Sequence, residues 1–77
     1  MREMHTYSIV LEPDTQSGFT VTVPALPGCV TEGETVDQCV VNAREAIELY
    51  LEDLLATGGE PPDEKAAPQV LRVTVAA

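Results

Sequence analysis

The sequence predicts a small α+β fold: a two-layer β-β-β-α-β chain whose mixed, mostly antiparallel sheet is covered on one face by one helix. Three observations carry this. Apolar and polar residues alternate with period two in Thr6–Glu12 and again in Phe19–Val23. Between Val36 and Ala56 the apolar residues instead recur every three or four positions. The period of two returns from Val70 to Val75.

In the first strand Tyr7, Ile9 and Leu11 alternate with Ser8, Val10 and Glu12. The run Pro13-Asp14-Thr15-Gln16-Ser17-Gly18 is turn chemistry throughout, so the second strand returns antiparallel. One hairpin face carries Tyr7, Ile9, Leu11, Phe19, Val21 and Val23; the other carries Ser8, Val10, Thr20 and Thr22. That division suits a sheet covered on one side. Pro24 cannot donate to a ladder and ends the second strand. Pro27-Gly28 fits a type II turn, with Pro presetting φ and Gly accepting a positive φ. Cys29–Glu32 is then a short third strand and Gly33 a joint. Pro24, Pro27, Gly28 and Gly33 are thus expected to shape the corner around which the chain is organised.

Thr35 and Gln38 fit a capping box opening a helix. Val36, Val40, Ala43, Ile47, Tyr50 and Leu54 form its apolar stripe, widened by Cys39, Ala46, Leu51 and Leu55. Thr57-Gly58-Gly59 supplies the stop. Pro61, Pro62 and Pro68 keep the following loop out of regular structure. A fourth strand is expected at Val70–Val75, with Leu71, Val73 and Val75 toward the helix. A right-handed crossover would lay it parallel to the first strand, giving the order 3-2-1-4.

At 77 residues the chain is expected to be a single domain, 1–77. So short a chain buries only about 60% of its unfolded surface, so assembly is a natural supplement to its core. The start Met-Arg-Glu-Met-His-Thr has no apolar core of a signal peptide, and no segment is apolar enough to span a membrane. The expected compartment is the cytoplasm. Cys29 and Cys39, ten residues apart, match no zinc or redox spacing and are expected to be reduced, metal-free core residues.

The formal net charge is −9, which repels nucleic acid and suits a basic partner. Acidity serving solubility alone is the commoner case for small acidic proteins. Glu45, Glu48 and Glu52 fall together off the apolar stripe, and Arg44 is the lone base inside the helix. Glu52 and Asp53 also sit near the negative end of the helix dipole, where acids are mildly unfavourable. A ridge placed against stability in this way suggests a use, so Glu45, Glu48 and Glu52 are the candidate partner-binding residues. No catalytic residue is assigned. Gly58-Gly59 follows a helix and lacks the Lys and Ser/Thr of a phosphate loop, and His5 is the only histidine. No cofactor and no metal site are expected.

The corner Val23-Pro24-Ala25-Leu26-Pro27-Gly28-Cys29-Val30-Thr31-Glu32-Gly33-Glu34-Thr35, followed by Asn42-Ala43-Arg44-Glu45-Ala46-Ile47-Glu48-Leu49-Tyr50-Leu51, resembles the HicB antitoxin family. The likeness runs from the Tyr7 strand to the Pro-rich loop. It implies a partial RNase H-like domain of β-β-β-α-β order. It also implies a role in binding and blocking HicA, a small basic mRNA-cleaving toxin, and assembly as a homodimer or higher oligomer. Many family members carry a C-terminal helix-turn-helix or ribbon-helix-helix segment; this sequence stops after the expected fourth strand, so DNA binding is not carried over. An RNase H-type activity would need several carboxylates around metal ions. Glu12 and Glu45 or Glu48 are the available acids, and the last strand has none. The leading expectation is therefore a non-enzymatic antitoxin. The alternative is a solitary oligomeric structural or regulatory module without a toxin, using the uncharged face of Ser8, Val10, Thr20, Thr22 and Thr74 for self-assembly or a small ligand.

Overall fold

A computed structural model of the protein describes residues 3–77; Met1 and Arg2 of the expected leaderless start lie outside the described residues. Strands β1 (Val10–Pro13), β2 (Phe19–Thr22) and β3 (Val30–Gly33) precede helix α1 (Val36–Ala56). The three strands form one antiparallel sheet in the order β1-β2-β3.

Register follows from the turns. The amide of Asp14 donates to the Gly18 carbonyl at 2.9 Å, closing the first turn and setting Pro13 opposite Phe19 and Leu11 opposite Val21. Across the other seam Val21 pairs with Thr31 and Thr22 with Val30. Leu11, Phe19 and Val21 therefore share the helix-facing side. The opposite side carries Val10-Thr22-Val30 in one row and Glu12-Thr20-Glu32 in the next. The face read as uncharged thus bears two carboxylates flanking Thr20. Glu32 joins it only through the register of β3, which alternation in the hairpin does not specify.

The corner between β2 and β3 is two successive turns. Leu26 N–H donates to the Val23 carbonyl at 2.9 Å, and Cys29 N–H to the Leu26 carbonyl at 3.0 Å. Gly28 holds φ at 82° in the second turn. The corner's apolar residues turn inward: Val23, Leu26 and Cys29 are buried against Tyr7, Ile9, Ala46, Ile47, Tyr50 and Leu51. A second cluster joins Val21, Cys39 and Ala43 to Ile9, Leu11 and Phe19. Burial of Leu26 and Val21 contributes roughly 1.5–3 kcal/mol each. The Tyr50 hydroxyl donates to the Pro27 carbonyl at 3.0 Å, fastening the corner to the helix.

Thr35 caps α1 by accepting from Gln38 N–H at 3.1 Å. Gln38 answers one residue earlier than the usual box, accepting from Glu34 N–H at 2.8 Å. At the other end Gly58 takes φ 85°, and Gly59 N–H donates to the Leu54 carbonyl. The buried stripe is rotated from the expected one: Cys39 and Ala43 are buried, while Val36 and Val40 are exposed. Gly33 is not a joint but the last residue of β3. A Cβ there would lie 2.9 Å from both the Cys39 amide nitrogen and its Sγ, so the missing side chain lets the helix start press on the strand.

Two expectations about the strands are corrected. β1 begins at Val10 rather than Thr6, because beyond Thr22 its partner turns into the corner, where Val23 N–H bonds Cys29 instead. Among the described residues no fourth strand forms, and the order 3-2-1-4 reduces to β1-β2-β3. The Pro-rich loop does reach the β1 side: the Tyr7 hydroxyl donates to the Pro62 carbonyl at 2.6 Å, and Ser8 donates to Glu64 through its amide (2.8 Å) and its hydroxyl (2.6 Å). Past Pro68 the chain leaves the body, and residues 69–77 are exposed and unpaired. The described chain consequently spans 53 Å along its longest axis, against 26 and 19 Å across. An RNase H-like topology needs a strand beyond β1, a position left unfilled here.

Candidate partner-binding surface

One exposed face of α1 presents Val41, Glu45, Glu48 and Glu52, separated by three or four residues. Among the described residues, no side-chain hydrogen bond or ion pair holds Glu45, Glu48 or Glu52; the one close contact between a basic and an acidic side chain joins His5 Nε2 to Glu3 at 3.9 Å. Arg44, also exposed, neutralises none of them.

Of the three acids, only Glu45 reaches the sheet side. It lines a shallow groove of about 270 Å³ between β3 and α1, with Thr31, Asn42, Ala46 and Leu49. Asn42 forms the end of this groove by donating from Nδ2 to the Glu32 carbonyl at 2.7 Å, which occupies part of the outer edge of β3. Val41 and Leu49, 62% and 63% exposed, lie one turn either side of Glu45. The surface is therefore an apolar strip with a carboxylate at its centre and two more on its outer shoulder. Such a patch can attract a cationic partner at long range and bury aliphatic surface on contact. Leu49 was expected in neither stripe nor ridge, and in the sequence Asn42 and Leu49 stand out only as part of the motif resembling the HicB family, with no role assigned to either. Pro24, Pro27 and Gly28 lie at the corner and Gly33 at the end of β3, and none of them lines this groove.

A second, open cleft of about 490 Å³ lies between Pro24-Ala25 and the loop residues Asp63, Glu64, Lys65, Ala66 and Pro68. The two hydrogen bonds from Ser8 hold the Glu64 carboxyl below its ordinary value. Burial, with a smaller push from Asp63, raises the Tyr7 hydroxyl, and burial raises the Cys29 thiol. His5 is more covered than its terminal position suggests, at 22% side-chain exposure, and stacks on Tyr7 with ring centres 6.3 Å apart. Glu12 lies on the open sheet face, whereas Glu45 and Glu48 stand on α1 against the other face, so these acids do not converge. No group of three or more His, Cys, Asp or Glu side chains able to hold a metal ion occurs among the described residues. Cys29 and Cys39 are free and buried in separate clusters. No helix among the described residues is long and apolar enough to cross a membrane.

These features define a small acidic α+β module with carboxylate-rich outer surfaces. The family model described as "HicB_like antitoxin of bacterial toxin-antitoxin system" matches residues 7–73, and the chain belongs to this family. It is 32% identical over 74 residues to a UPF0150 protein of Synechocystis, covering 96% of this chain and 94% of that one. It is 37% identical over 60 residues to a UPF0150 protein of Thermoplasma acidophilum, covering 78% and 87%. An uncharacterized 14.9 kDa protein from the rep-hol intergenic region of Haemophilus phage HP1 is 34% identical over 65 residues; the match covers 84% of this chain but 48% of the phage protein.

Proposed function

We propose that the protein is the antitoxin of a toxin–antitoxin pair: a cytoplasmic, non-enzymatic domain, residues 1–77, that sequesters a small basic HicA-type mRNA-cleaving toxin. The family match over residues 7–73 carries this reading. The net charge of −9 and the unpaired Glu45, Glu48 and Glu52 support it, because opposite charge steers a cationic protein to the surface. Val41 and Leu49 then supply the apolar contact that slows dissociation. The same acidity disfavours RNA or DNA as a direct ligand.

A tagged copy of the full chain, expressed in its source cell, should retain a small basic protein encoded in the adjacent reading frame. The purified partner should cleave RNA alone and stop doing so when the chain is added. Recovery of no basic partner, or cleavage that persists at saturating antitoxin, would refute the assignment.

A further inference from the structure

The segment Val70–Val75 is a strand without a sheet. Its residues alternate as they would in a ladder, yet they are unpaired, and Val70, Leu71, Val73 and Val75 are 78–85% exposed. It is no stray tail, because the family match continues through Val73. The edge that such a strand would complete is also free: β1 pairs only with β2. Exposed edges of this kind are normally covered or paired. The loop leading into the segment is fastened beside that edge by the bonds from Tyr7 and Ser8 to Pro62 and Glu64. Beyond it the segment points away from its own sheet.

Charge identifies what it pairs with. Residues 65–77 hold Lys65 and Arg72 and no acid, whereas residues 1–64 hold all 13 acids of the chain with only Arg2 and Arg44. The segment is thus the cationic part of an anionic protein. It is ill suited to a basic partner and well suited to the acidic body of another copy, where Glu12 of β1 and Glu32 of β3 share the open sheet face. The body also needs added burial, since only six apolar residues are buried in the described chain: Val21, Val23, Leu26, Cys29, Cys39 and Ala43.

We propose that Val70–Val75 of each protomer adds as a strand to the β1 edge of a second copy, in a reciprocal exchange that closes a two-fold dimer. The ladder satisfies the free backbone groups of both strands. The alternate apolar side chains continue the helix-facing row of the partner, and Arg72 offsets part of the acidic repulsion between the bodies. The exchange involves no residue of the α1 groove, so it holds whether or not a toxin is bound.

Light scattering of the full chain at about 100 μM should return twice the 8.2 kDa protomer mass. Val73→Pro removes a ladder donor from an exposed position and should raise the dimer dissociation constant at least about tenfold, with the far-UV circular dichroism of the body unchanged. In a refolded mixture of isotope-labelled and unlabelled chains, Val73 should show nuclear Overhauser contacts with β1 of the other copy. A monomeric wild type, a Val73→Pro dimer as tight as wild type, or a dimer whose Val73 contacts lie only within its own chain would each overturn the exchange.

Discussion

Replacing Gly28 separates backbone strain from steric clash at the corner on which β2, β3 and α1 depend. Its φ of 82° lies in the left-handed region, and an added Cβ would meet nothing within 4 Å. The penalty for a side chain is therefore conformational alone, about 1–2 kcal/mol for Ala. For a domain of this size each kcal/mol moves the melting temperature by roughly 4–8 °C. Gly28→Ala should accordingly melt some 4–16 °C below wild type, by the product of those two ranges. Gly28→Val should fall further, because a β-branched residue tolerates positive φ worst. Gly28→Asn should recover much of the loss, since Asn enters this region readily. Thermal melts followed by circular dichroism at one protein concentration give the ranking. If Gly28→Asn falls as far as Gly28→Ala, or Ala melts with wild type, then strain at this turn is not what Gly28 relieves.

Gly33→Ala presents the opposite case, with no positive φ but backbone atoms of Cys39 at 2.9 Å; it should destabilise by about 1–3 kcal/mol as an overpacked site, read from the same melts. The Ser8–Glu64 contact should depend on pH. Glu64's carboxyl is held below its ordinary 4.5, so its contribution is present above pH 4.5 and is lost as pH falls through the lowered value. Hydrogen exchange at the Ser8 amide should accelerate relative to neighbouring amides over that acidic window, and Glu64→Gln should abolish the pH dependence. The buried thiols of Cys29 and Cys39 lie in separate clusters, and burial raises Cys29 further from its reactive form. Intact mass under non-reducing conditions should therefore show both thiols, and a loss of two hydrogens would contradict it.

Local chemistry made the corner and the helix legible. Thr35, Gln38 and Gly58 mark the helix ends because caps act within a few residues of themselves. The hairpin was legible because Pro13–Gly18 brings two alternating runs together at once. Long-range partners were not. Alternation at Val70–Val75 reports a segment able to pair, but pairing also needs an edge within reach, and Pro61, Pro62 and Pro68 lie between. Nothing in the neighbours of Ser8 points to Glu64, 56 positions away, yet that carboxylate takes the Ser8 amide that a longer β1 would have used. The helix stripe slipped for a related reason. Val36 and Val40 have the right spacing, but the close approach of Gly33 to Cys39 sets the helix rotation and leaves both exposed. The acids of the ridge were legible as off-stripe residues; the groove beside Glu45 depends on β3 lying against Asn42 and Leu49, which spacing along one helix does not encode.

Charge reversal tests whether the ridge acts as a contact or merely as part of the overall charge. Changing Glu45, Glu48 and Glu52 together to Lys moves the net charge by two units per site, from −9 to −3. All three side chains are exposed and unbonded, so the fold should survive. Changing Glu3, Glu34 and Glu60 to Lys makes the same net change on exposed positions outside the groove's lining. If steering depended on total charge only, both variants would associate with the basic partner equally slowly. If the α1 surface is the contact, the ridge variant should lose at least about tenfold in association rate at low salt, and the control clearly less. Dissociation of the ridge variant should also accelerate, because Glu45 lines the groove, one helical turn from the exposed Val41 and Leu49, and would leave a Lys facing a cationic partner. Raising ionic strength to about 1 M shrinks the screening length to about 3 Å and should bring the association rates of all three proteins together. Stopped-flow association measured across that salt range decides the matter. Equal slowing by the two variants, with both folded, would remove the groove from the mechanism and leave long-range attraction as the ridge's whole effect.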